Sequence, residues 1–209
     1  MNLAEREARF KKTTLYPVIT PGFTRGRSVI EILEAILAGG AQIVQLRDKQ
    51  DPGRYAAEFR RLTGHYGALL IINDSLETAL KYEADGVHLG QTDLAIGDAR
   101  LAAPDLLIGF SANSLEGALT AEEKGATYVA LGPIFPTQTK PDAGEALGIE
   151  SLKEIRSKIQ IPLVAIGGIN AENINQVINA GIKHIAMITA LTETSDIERA
   201  TRGFLSLLQ

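Results

Sequence analysis

Three long cations stand where short apolar runs give way to polar residues: Arg47 and Lys49 within QLRDK at 45–49, and Lys140 at the end of TQTK at 137–140. Arg grips phosphate oxygens with two prongs and Lys offers a point charge, so such cations gathered at one rim make an anion site. Asp74 and Asp93 close two further runs. Beside three cations these carboxylates serve either as salt-bridge partners or as a seat for Mg²⁺, which takes one or two carboxylates together with phosphate oxygens and water. Gly167-Gly168 precedes a helical stretch and suits a phosphate cradle, because glycine lets backbone N–H groups come close to the oxygens. Thr137-Gln138-Thr139 adds two hydroxyls on a loop. Gln45, Asn73, Ser111 and the pair Ile188-Thr189 end other apolar runs.

Other chemistries are missing from the pattern. The chain has no cysteine, which removes a thiolate nucleophile, disulfides and Cys-ligated zinc. No Ser–His–Asp order, no GxxxxGK[ST] loop and no His-x-x-x-His spacing occurs. His88 lies inside an apolar run and reads as a packed, hydrogen-bonded histidine rather than a catalytic one. His65 and His184 fall away from the expected site.

The elements that must carry these groups follow from periodicity. Eight nearly uninterrupted apolar runs recur: 15–20, 43–47, 69–73, 86–89, 106–110, 128–131, 163–166 and 184–188. That is the pattern of parallel strands covered on both faces. Between them, 28–37, 54–66, 76–82, 96–102, 115–124, 149–159, 173–180 and 197–208 read as helices, several ended by a glycine. Eight strand–helix units predict one α/β domain, a single-domain (β/α)₈ TIM barrel spanning residues 1–209, with 1–12 as a tail or an extra helix. A doubly wound open sheet is the competing architecture and normally has fewer strands. Barrel sites collect at the C-terminal ends of strands, where the polar residues above stand. The loop 132–147 is long enough to serve as a lid over that end.

Composition narrows the partners. A net charge of −4 and a pI of about 5.5 argue against nucleic-acid binding. No apolar stretch approaches a membrane span, and the charged N-terminal residues do not read as a secretory signal. A cytoplasmic enzyme acting on small molecules is the expectation, and a homo-oligomer is compatible with it.

QLRDK at 45–49, IIND at 71–74, GVHLGQTDL at 86–94, LGPIFPTQTK at 131–140 and VAIGGI at 164–169 together resemble the thiamine phosphate synthase family. The resemblance implies a (β/α)₈ barrel that uses Mg²⁺. It also implies condensation of 4-amino-2-methyl-5-pyrimidinylmethyl diphosphate with a thiazole phosphate. Carried onto this chain, it assigns the pyrimidine diphosphate to Gln45, Leu46, Arg47, Asp48, Lys49, Asn73, Ser111 and Lys140. Of these, Arg47, Lys49, Ser111 and Lys140 would be catalytic. It assigns the thiazole phosphate to Thr137, Gln138, Thr139, Gly168, Ile188 and Thr189, and Mg²⁺ to Asp74 and Asp93.

The chain departs from the family pattern in carrying Thr189 where serine is usual and Asn113 where histidine is common. Two other readings compete. A thiazole tautomerase shares the barrel but depends on a histidine at position 113 and tends to lose the acidic pair. A non-catalytic barrel that binds a phosphorylated ligand would not need that pair either.

Overall fold

A strand packed on both faces needs apolar side chains at successive positions, and the eight runs supply them. The structure, a computed structural model, describes residues 1–139 and 144–208. Its strands are β1 (Leu15–Ile19), β2 (Ile43–Leu46), β3 (Leu69–Asn73), β4 (Gly86–Leu89), β5 (Leu107–Ala112), β6 (Tyr128–Leu131), β7 (Leu163–Ala165) and β8 (His184–Met187). All neighbours pair in parallel, and β8 returns to β1 through Leu15↔Ile185 and Tyr16↔Ala186, closing the barrel. The helices are α1 (Leu3–Phe10), α2 (Val29–Ala38), α3 (Ala56–Tyr66), α4 (Leu76–Lys81), α5 (Ile96–Ala102), α6 (Leu115–Glu123), α7 (Gly148–Lys158), α8 (Ile174–Asn179), α9 (Thr189–Thr192) and α10 (Ile197–Leu207). The expected (β/α)₈ barrel is the architecture found.

Successive side chains of a strand point to opposite faces. One set, including Leu15, Val44, Leu46, Leu70, Val129 and Ile185, packs outward against the helices in one continuous core. The other set, including Tyr16, Val18, Ile43, Leu69, Ile71, Tyr128 and Val164, fills the barrel interior as a second core. The interior is thus packed with side chains at its lower levels, and a cavity opens at its upper end.

The N-terminal segment forms the extra helix. Asn2 and Glu5 make a reciprocal capping box that starts α1. Its last residue, Phe10, is buried against the interior: its ring stacks on Tyr128 at 4.5 Å and on His184 at 5.1 Å. Arg6 pairs with the buried Asp85 at 3.6 Å and donates to the Asp105 carbonyl. Arg9 donates to the Gly67 carbonyl. Gly67, Asp85, Asp105 and His184 all stand at or just before strand starts, so α1 closes the N-terminal end of the barrel. Asp85 holds that end together, accepting from the Leu70 amide at 2.9 Å and from Arg60 at 3.0 Å.

α9 was not expected from periodicity, because four residues make only one turn. β5 runs two residues beyond its expected end and takes in Ser111 and Ala112.

Two predictions follow from the closed lower end. Phe10→Ala removes a fully buried ring from a stacked cluster and should destabilise the protein by about 3–5 kcal/mol, read from urea unfolding. His184 is buried there, and burial lowers its pKa, partly offset by a backbone hydrogen bond to Thr13. The unfolded imidazole then takes up a proton more readily than the folded one. Stability is therefore retained above about pH 6.5 and falls as pH drops below it, by at most about 1.4 kcal/mol per pH unit for this one group. The slope of unfolding free energy between pH 7.5 and 5.5 should become shallower in His184→Gln.

Candidate active site

The polar residues at the strand ends meet over one cavity of about 1040 Å³ at the C-terminal end of the barrel. The alternation that fills the interior with apolar groups continues upward with polar ones. From β2 and its extension, Gln45, Arg47 and Lys49 line the cavity, while the side chains between them do not. Leu46 joins the outer core, and Asp48 is buried outside the cavity, capping the backbone amides of Gln50 and Asp51 and pairing with Arg54 at 3.4 Å. The period of two thus turns the side chains of Leu46 and Asp48 away from the cavity, between two residues that line it. β3 brings Asn73 and Asp74, the loop after β4 brings Asp93, and β5 brings Ser111. The other half of the rim carries Thr137, Gln138 and Thr139 after β6, Gly168 after β7, and Ile188 and Thr189 after β8. Lys140 lies outside the described residues.

Asp74 sits at an unusual backbone angle, φ +64°, with its amide donating to the His88 carbonyl at 2.8 Å. Its carboxylate lines the cavity between groups from the neighbouring strand ends. Lys49 Nζ lies 3.3 Å from Asp74 Oδ2. Burial pushes the Asp74 carboxyl above its ordinary range, and the neighbouring Asp93 carboxylate pushes it further, against the opposing pull of Lys49. Asp93 is itself held by the Gly90 amide at 2.7 Å. Two carboxylates this close repel each other unless a proton or a cation intervenes. Among the described residues no group of three or more His, Asp or Glu side chains comes together as a metal cage. A pair of carboxylates fits Mg²⁺, which leaves its remaining positions to water and phosphate oxygens.

The opposite half is built on close backbone approach. Gly168 has φ +66°, and a Cβ there would stand 2.6 Å from the Pro136 carbonyl oxygen. Both facts require glycine. The amides of Ile134 and Phe135 donate to the carbonyls of Ile166 and Gly167, binding the start of the 132–147 loop to the end of β7. At its far end, the amides of Leu147 and Gly148 return to the carbonyls of Pro133 and Ile134. The lid expectation for this loop is thereby confined to 136–146, of which 140–143 lie outside the described residues. Thr137 Oγ1 accepts from the Thr139 amide at 3.2 Å, and both threonines line the cavity.

Sequence reasoning missed several lining residues. Tyr16 contributes from β1, and Phe23 and Arg25 from the loop that follows it. Arg25 pairs with Glu193, another lining residue, at 3.9 Å. These loop residues have no periodicity to betray them. His88 is packed and hydrogen-bonded, as expected, yet it also lines the cavity. Asn113 lines it as well.

A model of the thiamine monophosphate synthase family matches residues 15–191. The chain belongs to that family. It is 46% identical over 194 residues to the thiamine-phosphate synthase of Methanoculleus marisnigri, covering 90% of this chain and 92% of that one. It is 44% identical over 204 residues to that of Pyrococcus horikoshii, with 96% and 97% covered. The thiamine phosphate pyrophosphorylase structure from Pyrococcus furiosus superposes with a TM-score of 0.86 at 40% identity, over 96% of this chain and 97% of that one. This is an enzyme family of transferases, in line with the resemblance read from the motifs. Among the described residues no helix is long and apolar enough to cross a membrane.

The crowding of the acidic pair is measurable. Asp93→Asn removes one of the causes that raise Asp74, so the Asp74 carboxyl should titrate lower than in the wild type when followed by ¹³C NMR. An unchanged titration would mean that the two groups do not interact.

Proposed function

We propose that this chain condenses 4-amino-2-methyl-5-pyrimidinylmethyl diphosphate with a thiazole phosphate, giving thiamine phosphate and diphosphate. The observation that supports the reading is that anion-suited groups after β2–β5 and after β6–β8 line one cavity from opposite sides of the barrel. Arg47, Lys49, Asp74, Asp93 and Ser111 line one half, and Thr137, Thr139, Gly168 and Thr189 the other. An enzyme joining two phosphorylated substrates needs both anions held at once with their reacting carbon and nitrogen facing each other.

Arg47 and Lys49 suit the diphosphate, with Lys140 added by the family resemblance. Gln45 and Asn73 lie deeper and suit the polar edge of the pyrimidine diphosphate. Asp74 and Asp93 would hold Mg²⁺, which when bound would add positive charge beside the diphosphate. With the anion neutralised, the bond between the pyrimidine methylene carbon and the diphosphate oxygen breaks, and its electron pair leaves with the diphosphate. The electron-rich aminopyrimidine spreads the positive charge left on the methylene. The thiazole nitrogen lone pair then forms the new C–N bond, and the ring becomes a thiazolium. No protein nucleophile is needed. The contribution of Arg47 and Lys49 is fixed charge placed where negative charge develops, and that of the rest is alignment.

On the thiazole side, the Thr137–Thr139 turn, the glycine at 168 and the start of α9 at Thr189 lie after β6, β7 and β8, where barrels commonly hold phosphate. Thr189 keeps the hydroxyl of the serine usual there. Asn113 stands in the cavity where a thiazole tautomerase would need a histidine, and an amide cannot shuttle protons in its place.

The protein mixed with Mg²⁺ and both substrates should form thiamine phosphate, detected as its fluorescent oxidation product. Absence of that product under saturating substrates would overturn the reading. Excess chelator should abolish turnover, and Asp93→Ala should lose turnover or demand much more Mg²⁺. Full activity of Asp93→Ala in chelator would remove the metal from the account. Lys49→Ala loses a charge-assisted contact worth about 1.5–3 kcal/mol, so kcat/KM for the pyrimidine diphosphate should fall at least tenfold. The KM for thiazole phosphate should stay within about twofold; equal effects on both would show that the halves are wrongly assigned.

A further inference from the structure

Beneath the cavity runs a chain of buried polar groups that crosses the barrel interior. Gln45 Nε2 donates to the Tyr16 hydroxyl at 3.2 Å. The Tyr16 and Tyr128 hydroxyls are 2.8 Å apart. Tyr128 Oη lies 3.2 Å from His88 Nδ1, and His88 Nε2 lies 2.9 Å from Ser111 Oγ. Gln45, Tyr16, His88 and Ser111 line the cavity, whereas Tyr128 is 0% exposed and lies below it. Its ring is clasped from beneath by Phe10 and stacked on His88 above. Room for it exists only because residue 109 is glycine: a Cβ there would stand 2.1 Å from Tyr128 Cζ.

We propose that Tyr128 is a positioning residue that gives this chain a single direction, from Gln45 through Tyr16, Tyr128 and His88 to Ser111, so that the Ser111 hydroxyl hydrogen points into the cavity. The argument is one of hydrogen count. Burial raises the pKa of both tyrosines, so both keep their hydrogens, and each hydrogen needs an acceptor. The Tyr16 oxygen already accepts from Gln45. If Tyr128 also donated to it, the hydrogen of the buried Tyr16 hydroxyl would have no acceptor among its partners in the chain. Leaving a buried donor unsatisfied is costly. The arrangement without that cost has Tyr16 donating to Tyr128 and Tyr128 donating to His88 Nδ1. The imidazole then carries its hydrogen on Nε2 and donates to Ser111 Oγ. With that oxygen occupied as an acceptor, the Ser111 hydrogen is left for a ligand.

The inference rests on the proposed function, in which Ser111 faces the departing diphosphate. A hydroxyl held as a donor before the reaction stabilises negative charge where it appears, with no reorientation needed. Without the Tyr128 hydroxyl, the imidazole is free to carry its hydrogen on Nδ1. Ser111 would then donate to Nε2 and turn its lone pairs toward the anion.

Two readouts test this. The chain has three histidines, so ¹⁵N-imidazole spectra of the wild type resolve each ring. His88 should be the tautomer protonated on Nε2 and bare on Nδ1, and Tyr128→Phe should mix or reverse it. Kinetically, Tyr128→Phe should lower kcat about tenfold, the scale of one misdirected hydrogen bond, with the KM for thiazole phosphate within about twofold. In a Ser111→Ala background the same change should cost less than twofold, since its target is already gone. A wild-type His88 protonated on Nδ1, a fully active Tyr128→Phe, or equal losses in both backgrounds would overturn the proposal. The wild-type spectrum needs no variant to fold and no turnover. A wild type that makes no thiamine phosphate while showing the Nε2–H tautomer would therefore sink the function and leave the direction of the chain standing.

Discussion

The closed barrel forces every strand to turn alternate residues toward a common axis, and the space at that axis is narrow. Lower down it is filled by Tyr16, Ile43, Leu69, Ile71, Leu107 and Tyr128, with Phe10 of α1 sealing the end. Higher up, the same alternation continues with Gln45, Asn73, His88 and Ser111, and the groups just past the strand ends face one another across the mouth. Sheet geometry thus sorts side chains of adjacent sequence into opposite environments. Arg47 and Lys49 reach the cavity while Asp48 between them becomes a buried cap for its own turn.

Charge at the mouth follows from that sorting. Asp74 and Asp93 are brought close enough to raise the Asp74 carboxyl, and Lys49 alone does not cancel the effect. On the proposed function, a divalent cation accompanied by a polyanion would relieve this crowding, each balancing what the other leaves. Among the described residues, the second half of the mouth shows no such acidic pair. It presents hydroxyls and a glycine that lets two loops touch, groups that the proposed function gives to a phosphate monoester.

The strands and helices were readable because covered parallel strands are apolar throughout and helices are amphipathic, two periods that differ plainly. The site residues were readable as polar groups that end apolar runs. The period of two, applied past the end of β2, also separates Arg47 and Lys49 from Leu46 and Asp48, although the motif alone does not. Other features had no periodic signal to give. α9 is one turn long, and the Arg25–Glu193 pair joins loops far apart in sequence. Asp74 takes a left-handed backbone that favours glycine or asparagine, so its conformation appears only in three dimensions. The apolar neighbours of His88 in sequence mark a packed, hydrogen-bonded histidine, and only the three-dimensional structure adds that its ring lines the cavity.

The central claim is that one cavity holds two anions simultaneously, in separate halves. Calorimetric titration tests it most directly, using diphosphate with Mg²⁺ as one ligand and thiazole phosphate as the other. Each should bind with one-to-one stoichiometry, and saturation with the first should leave a full equivalent of sites for the second. Mutual exclusion, with either ligand abolishing the heat of the other, would contradict the account.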